Sequence, residues 1–266
     1  MIGIFDSGIG GLTYLDKIHK LFPNIDICYL GDTKNAPYGD KTREEITSLA
    51  KEKIEFFYKR KCSLVIIACN TIASDALREL QKKYEGKMKI LGVLIPASER
   101  AIELSKNKHI AILGTTQTIE SKSYLRELTK LDVNVQIMEI PAPKLVPMIE
   151  RGESDSNEMK SLLENYLKKI IATNIDVLIL GCTHYKIIKK HISSIIPKNV
   201  RIVNSSSAAA YKLMSYLEKH ENIKKHLSYK GKIELFCTNN KKQFQENIKV
   251  LFPHFIDRLN AKIEEI

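Results

Sequence analysis

The chain has no tryptophan and no secretory-type start. It also has no apolar run of about 18 residues, which excludes a membrane-spanning helix. Its opening, Met1-Ile2-Gly3-Ile4-Phe5, is already strand-like, without a basic region or cleavage site ahead of it, so no secretory signal is expected. Five cysteines (28, 62, 69, 182 and 237) form an odd set without paired spacing. A disulfide framework is not expected from them, and a reducing cytoplasm fits. Cys-x-x-Cys pairs of the zinc type are absent too. No Pro/Gly/Ser-rich linker divides the 266 residues.

Acidic residues are in deficit: 31 Asp and Glu stand against 42 Lys and Arg, a formal charge of +11. Nucleic-acid binding is one reading of that balance. The lysines are spread through every helical segment, often beside Glu, and no basic-aromatic interleaving occurs, which favours a solvated surface. Such a surface can still attract an acidic small molecule.

What is present is an alternation of apolar runs and amphipathic segments. Strands are expected near 2–5, 26–30, 64–68, 89–93, 109–113, 133–138, 176–180, 200–203 and 232–236. Helices are expected near 11–21, 42–59, 72–84, 97–105, 118–129, 144–150, 155–172, 184–194, 206–219 and 240–261. The strands are continuously apolar, as in parallel sheets covered on both faces. The pattern is too irregular for an eight-fold barrel. It predicts an α/β chain of two doubly wound parallel-sheet domains related by pseudo-symmetry. The first comprises 1–94 plus 206–266 and carries Cys69, with the C-terminal helix packed on it. The second comprises 95–205 and carries Cys182.

The duplication rests on one shared motif. Val65-Ile66-Ile67-Ala68-Cys69-Asn70-Thr71 is an apolar run ending in a thiol and two polar residues. Val177-Leu178-Ile179-Leu180-Gly181-Cys182-Thr183-His184 repeats it. Ligands of open α/β sheets bind outside such strand ends. Two thiols brought there from two halves can face one carbon, one removing a proton and the other returning it. Cys28, Cys62 and Cys237 read instead as small buried hydrophobes. A metal reading of Cys69 with Cys182 and His184 lacks the usual ligand spacing. His184, at a helix start, can cap, shuttle a proton or hold a carboxylate.

Asp6-Ser7-Gly8-Ile9-Gly10-Gly11 follows the first strand and opens a helix. Its third position fails the dinucleotide fingerprint, since Thr13 replaces the glycine, and no Walker lysine follows. A carboxylate or phosphate suits the free N–H groups of the helix start; the alternative is a plain turn capped by Ser7. Asp6 at a strand end needs a partner, such as a substrate ammonium. Asn35-Ala36-Pro37-Tyr38-Gly39-Asp40 is a loop whose Tyr38 hydroxyl and Gly39 N–H can line a pocket. Glu150, closing Val146-Pro147-Met148-Ile149-Glu150, reads on its own as a surface residue.

Taken together, Phe5-Asp6-Ser7-Gly8-Ile9-Gly10-Gly11, Pro37-Tyr38-Gly39, Ala68-Cys69-Asn70-Thr71, Val146-Pro147-Met148-Ile149-Glu150 and Gly181-Cys182-Thr183-His184-Tyr185 resemble bacterial glutamate racemases. Their order and spacing match over essentially the whole chain. The related aspartate and hydantoin racemases share the two cysteines but are less similar at the glycine-rich turn and at Thr183-His184. The resemblance implies a cofactor-independent interconversion of L- and D-glutamate for peptidoglycan, in a cleft between two α/β domains. It implies that Cys69 takes the α-proton from D-glutamate and Cys182 from L-glutamate. Asp6 then stands beside the first thiol, and Glu150 and His184 beside the second. Asp6, Ser7, Tyr38, Gly39, Asn70, Thr71, Thr183 and His184 fall on substrate-binding positions, and no metal is implied. Family members are often homodimers. Ile72 departs from the alanine frequent after Thr71, and the N-terminal extension of members activated by a cell-wall precursor is missing, which argues against that activation.

No lysine of a pyridoxal-type site is evident, so donors such as Asn70, Thr71 and Thr183 must stabilise the carbanion. A free thiol has a pKa of about 8.5 and supplies little thiolate at neutral pH. Two other readings compete: racemisation of aspartate, and a binding module for an anionic metabolite in which both thiols are structural.

Overall fold

In a computed structural model the chain forms two parallel sheets; the structure describes residues 1–253, 259 and 261–266. The strands are β1 (Ile2–Asp6), β2 (Ile27–Gly31), β3 (Leu64–Ile67), β4 (Lys89–Gly92), β5 (His109–Gly114), β6 (Gln136–Pro141), β7 (Val177–Gly181), β8 (Arg201–Asn204), β9 (Ile233–Cys237) and β10 (Lys262–Glu265). The larger sheet has the order β10-β9-β2-β1-β3-β4 and the smaller β6-β5-β7-β8. β2-β1-β3-β4 and β6-β5-β7-β8 are the same winding, so β3 and β7 are topological equivalents. This is the pair of α/β domains that the repeated motif predicts.

Alternate residues of each strand feed opposite faces. Ile2 and Ile4 face one core with Leu12, Leu15, Leu213, Phe244 and Ile248, so the helix Lys241–Leu251 packs on the larger sheet. Phe5, Val65 and Ile67 face another. That second core continues through Ala97 and Ala101 to Ile110, Ile112, Val177 and Ile179 of the smaller sheet. The opposite face of the smaller sheet, Ala111, Leu113, Leu178 and Leu180, packs on the helix Asn157–Ile171. Each fully buried Ile or Leu contributes about 1.5–3 kcal/mol. The shared core explains why no linker is visible in sequence: both crossings between the sheets run through packed helices, Leu94–Leu104 and Ser205–Lys219.

Several expected elements shift. The strand expected at 133–138 is β6, at 136–141, because Asp132 closes a turn through Val135 N–H to its carbonyl and Asn134 N–H to its carboxylate. Val133 is left 80% exposed. The helix expected over 72–84 breaks at Ala76 into Asn70–Asp75 and Leu77–Lys83. That over 118–129 breaks at Lys122, which adopts φ 56° between Thr116–Glu120 and Ser123–Leu131. The one near 97–105 starts earlier, at Leu94, since Pro96 sits in the first turn where no N–H is needed. The helix expected to run to 261 ends at Leu251, and part of the remainder lies outside the described residues. β10 carries three charges around Ile263 and pairs on the outer edge of β9. No helix among the described residues is long and apolar enough to cross a membrane.

Candidate active site

Cys69 follows β3 and is the N-cap of Asn70–Asp75; Cys182 follows β7 and is the N-cap of the 3-10 turn Thr183–Lys186. Both thiols line one cavity, together with Ser7, Tyr38, Gly39, Asn70, Thr71, Glu150, Thr183 and His184. It is narrow, about 30 Å3. Ten of the eleven candidate residues therefore meet on one wall-to-wall gap. The eleventh, Asp6, is fully buried behind that wall. Its carboxylate accepts from Gly8 N–H at 3.1 Å and from Thr183 Oγ1 at 3.3 Å.

The glycine-rich turn is also fixed by packing. A Cβ on Gly10 would collide with Thr183 Oγ1 and the His184 ring, and one on Gly11 with the Asp6 side chain. Glycine is needed because side chains of both halves press on this backbone. Ser7 does not cap the following helix, whose N-cap is Gly11 without a side-chain bond. The Ser7 hydroxyl instead accepts from the Cys69 thiol at 3.5 Å.

The two thiols have different surroundings. Cys69 is pushed up to about 12, first by burial and then by the Asp6 charge, against the opposing pull of Ile72 N–H and Ser7. Burial also raises Asp6, while the His184 charge, the N–H groups of Gly8 and Gly11, and Thr183 resist that rise. Cys182 Sγ lies 3.8 Å from His184 Nδ1. His184 Nε2 donates to Glu150 Oε1 at 3.0 Å, which leaves Nδ1 to exchange a proton with sulfur. Burial alone would lower the His184 pKa, but Cys182 and Glu150 outweigh it and hold it well above the usual imidazole range. Among the described residues, no group of three or more His, Cys, Asp or Glu is disposed to hold a metal ion.

Neutral donors surround the thiols, and most come from residues that sequence reasoning missed. Asn70 Nδ2 donates to Ser205 Oγ at 3.1 Å, and Tyr124 OH donates to Asn70 Oδ1 at 2.7 Å. Thr71 Oγ1 is 3.0 Å from Thr115 Oγ1 and 3.2 Å from Thr118 Oγ1. Thr115 lines the cavity just past β5, as Ser7 does just past β1. The strand repeat was the one signal that could have found it. Tyr38 lines the cavity, but its hydroxyl is turned to Asp32 Oδ2 at 2.5 Å.

The family model described as Asp/Glu/Hydantoin racemase matches residues 2–213. A glutamate racemase of Sulfurihydrogenibium sp. is 39% identical over 92% of this chain and 91% of its own length. One of Thermoanaerobacter sp. is 36% identical over 99% and 98%. Among solved structures, a glutamate racemase isoform of Bacillus anthracis superposes with a TM-score of 0.90 at 29% identity, covering 100% of this chain and 97% of that one. The Francisella tularensis glutamate racemase in complex with D-glutamate gives 0.87 at 29% identity, covering 100% and 96%. With two equivalent strand ends delivering two thiols to one cavity, and with a match over most of its length, the chain belongs to the Asp/Glu/hydantoin racemase family.

Proposed function

We propose that the chain interconverts L- and D-glutamate by moving the α-proton between Cys69 and Cys182, without a cofactor. The observation that carries this reading is the pairing of two thiols on one cavity, Cys69 donating to the Ser7 hydroxyl and Cys182 lying against His184 Nδ1. In one direction the Cys69 thiolate takes the α-proton of D-glutamate and becomes a thiol. The electron pair stays on the substrate as a carbanion delocalised into its carboxylate. The Cys182 thiol then gives its proton to the opposite face and is left as the thiolate. The reverse reaction exchanges these roles. Asp6 serves the first thiol, His184 and Glu150 the second.

Asn70, Thr71 and the backbone N–H groups of Thr183 and Gly39 offer fixed donors for the carboxylates, with Ser7 and Tyr38 completing the wall. A gap of about 30 Å3 holds a water or two. The walls therefore part to admit an amino acid and close on it, which strengthens every charge interaction inside. Supporting the choice of glutamate are relatives named glutamate racemases, one of them in complex with D-glutamate. The same reading makes 1–94 with 206–266 and 95–205 the two moving bodies. It places the enzyme in the cytoplasm, where five free thiols persist, supplying D-glutamate for peptidoglycan as a homodimer.

The test is L-glutamate incubated with metal-free, cofactor-free protein in D2O, following optical rotation and the α-proton signal together. Both signals should fade. Racemisation of L-aspartate but not L-glutamate would overturn the substrate assignment. Ligand-induced stabilisation without turnover of any amino acid would favour the binding-module reading.

A further inference from the structure

The loop that carries Tyr38 and Gly39 has no secondary structure of its own between β2 and the helix Arg43–Lys59. Something else must fix it. Asp32, directly after β2, is fully buried, and its carboxylate accepts from three side chains. Tyr38 OH donates to its Oδ2 at 2.5 Å, and Thr238 Oγ1 to its Oδ1 at 2.6 Å. Asn35 Nδ2 lies 3.0 and 2.9 Å from the two oxygens. The Asp32 N–H donates to the Asp6 carbonyl at 3.0 Å, so this carboxylate is tied by backbone to the first proton partner.

Thr238 is a relay. While it donates to Asp32 it accepts from Lys34 N–H at 3.0 Å. Beside it, Thr33 Oγ1 donates to the Asn239 carbonyl at 2.8 Å, and Asn239 N–H reaches Thr33 Oγ1 at 3.1 Å. Thr238 and Asn239 follow β9, beyond residue 213 where the family match ends. On its other side the loop meets the second half: Gln117 N–H donates to the Gly39 carbonyl at 3.2 Å, and Gly39 lies against Thr115.

We propose that Asp32 is a positioning residue for the racemase reaction, clamping the cavity loop Asn35–Asp40 to the end of β9 through Tyr38 and Thr238. The inference rests on the racemase reading for its role, and on geometry alone for the clamp. A carboxylate suits the position because three neutral side chains converge on it as donors, and only an acceptor-only group satisfies all three. An amide there would set its own NH2 against one of them. By holding the Tyr38 phenol away from the cavity, Asp32 leaves the ring and the Gly39 backbone as what a ligand meets. The preformed loop then spares a bound anion the cost of ordering it.

The experiment compares wild type with Thr238→Val, Tyr38→Phe and the double variant, which avoid the folding risk of changing Asp32 itself. Hydrogen bonds to a charged group are strong enough that Thr238→Val should raise KM for glutamate about tenfold. Its kcat should stay near wild type, the signature of lost uniform binding. The double variant should be no worse than the worse single one, because both act through Asp32. Independently of turnover, amide hydrogen exchange over residues 35–39 should speed up in Thr238→Val while that of β3 and β7 does not. Unchanged exchange and unchanged KM, or fully additive effects in the double variant, would overturn the clamp. If wild type fails to turn over glutamate, the racemase reading falls, and the exchange data still decide the clamp.

Discussion

Replacing Asp6 by Asn should make Cys69 more reactive and the enzyme less active. The structure places Asp6 where its charge is the main influence, after burial, raising the Cys69 thiol to about 12. At neutral pH such a thiol is ionised about once in 10⁵ molecules, a cost of about 7 kcal/mol. Asn has the same shape, and its oxygen still accepts from Gly8 N–H, so the turn should hold. Removing a like charge from a buried site should lower the thiol by about one to two units, raising thiolate about ten- to a hundredfold. The assay is iodoacetamide alkylation of the Cys69 peptide, followed by mass spectrometry over rising pH, with the Cys182 peptide as internal control. Racemisation should fall by about 10²–10⁴, the usual contribution of a general acid or base, more severely from D-glutamate. Alkylation of Cys69 that is unchanged or slower in the Asn protein would refute the reasoning, since removing the Asp6 charge must free thiolate if that charge holds the thiol up.

Two further outcomes follow from the same geometry. Gly10→Ala puts a methyl group against Thr183 Oγ1 and 2.7 Å from His184 Cε1, so it should cost about 1–3 kcal/mol in urea unfolding and displace the His184–Cys182 contact, lowering kcat with it. His184→Asn should slow the reaction from L-glutamate more than the reverse. It should also flatten the pH dependence of stability. The folded imidazole sits well above its unfolded value of about 6.5, so the native state holds the extra proton. That stabilisation is complete below the unfolded value and is lost as pH rises through the folded one. Urea midpoints at rising pH should therefore fall in wild type more steeply than in His184→Asn.

Continuous apolar runs such as Leu64–Ile67 and Val177–Gly181 made the buried parallel strands legible, because a strand covered on both faces has no polar alternation to hide it. The thiols were legible for the same reason: a polar trio closing such a run has to sit at the strand mouth. Glu150 was not. Its role depends on His184, 34 positions away, and nothing local marks it. Asp32 carries no local mark in the sequence either, because its partner Thr238 lies 206 positions on. Charged β10 was hidden by its position on a sheet edge, where one apolar residue, Ile263, is enough to bury. The broken helices were hidden because Ala76 and Lys122 are both ordinary helix formers, and tertiary packing decides the break.

The repeat places the thiols, and the departures from the repeat give them the different surroundings on which the proposed proton transfer depends. A symmetric pair of thiols would compete equally for one proton. Here Cys69 meets a hydroxyl with a buried carboxylate behind it, whereas Cys182 meets an imidazole braced by Glu150. The two sides are also joined. Thr183, next to Cys182, donates to Asp6, and the positive His184 stabilises the Asp6 carboxylate. When His184 gives up its proton, Asp6 loses that support and binds a proton more readily. A proton leaving one partner thus raises the affinity of the other. In the proposed reaction this coupling links the two sides, so that a proton released from the His184 side is more readily held on the Asp6 side.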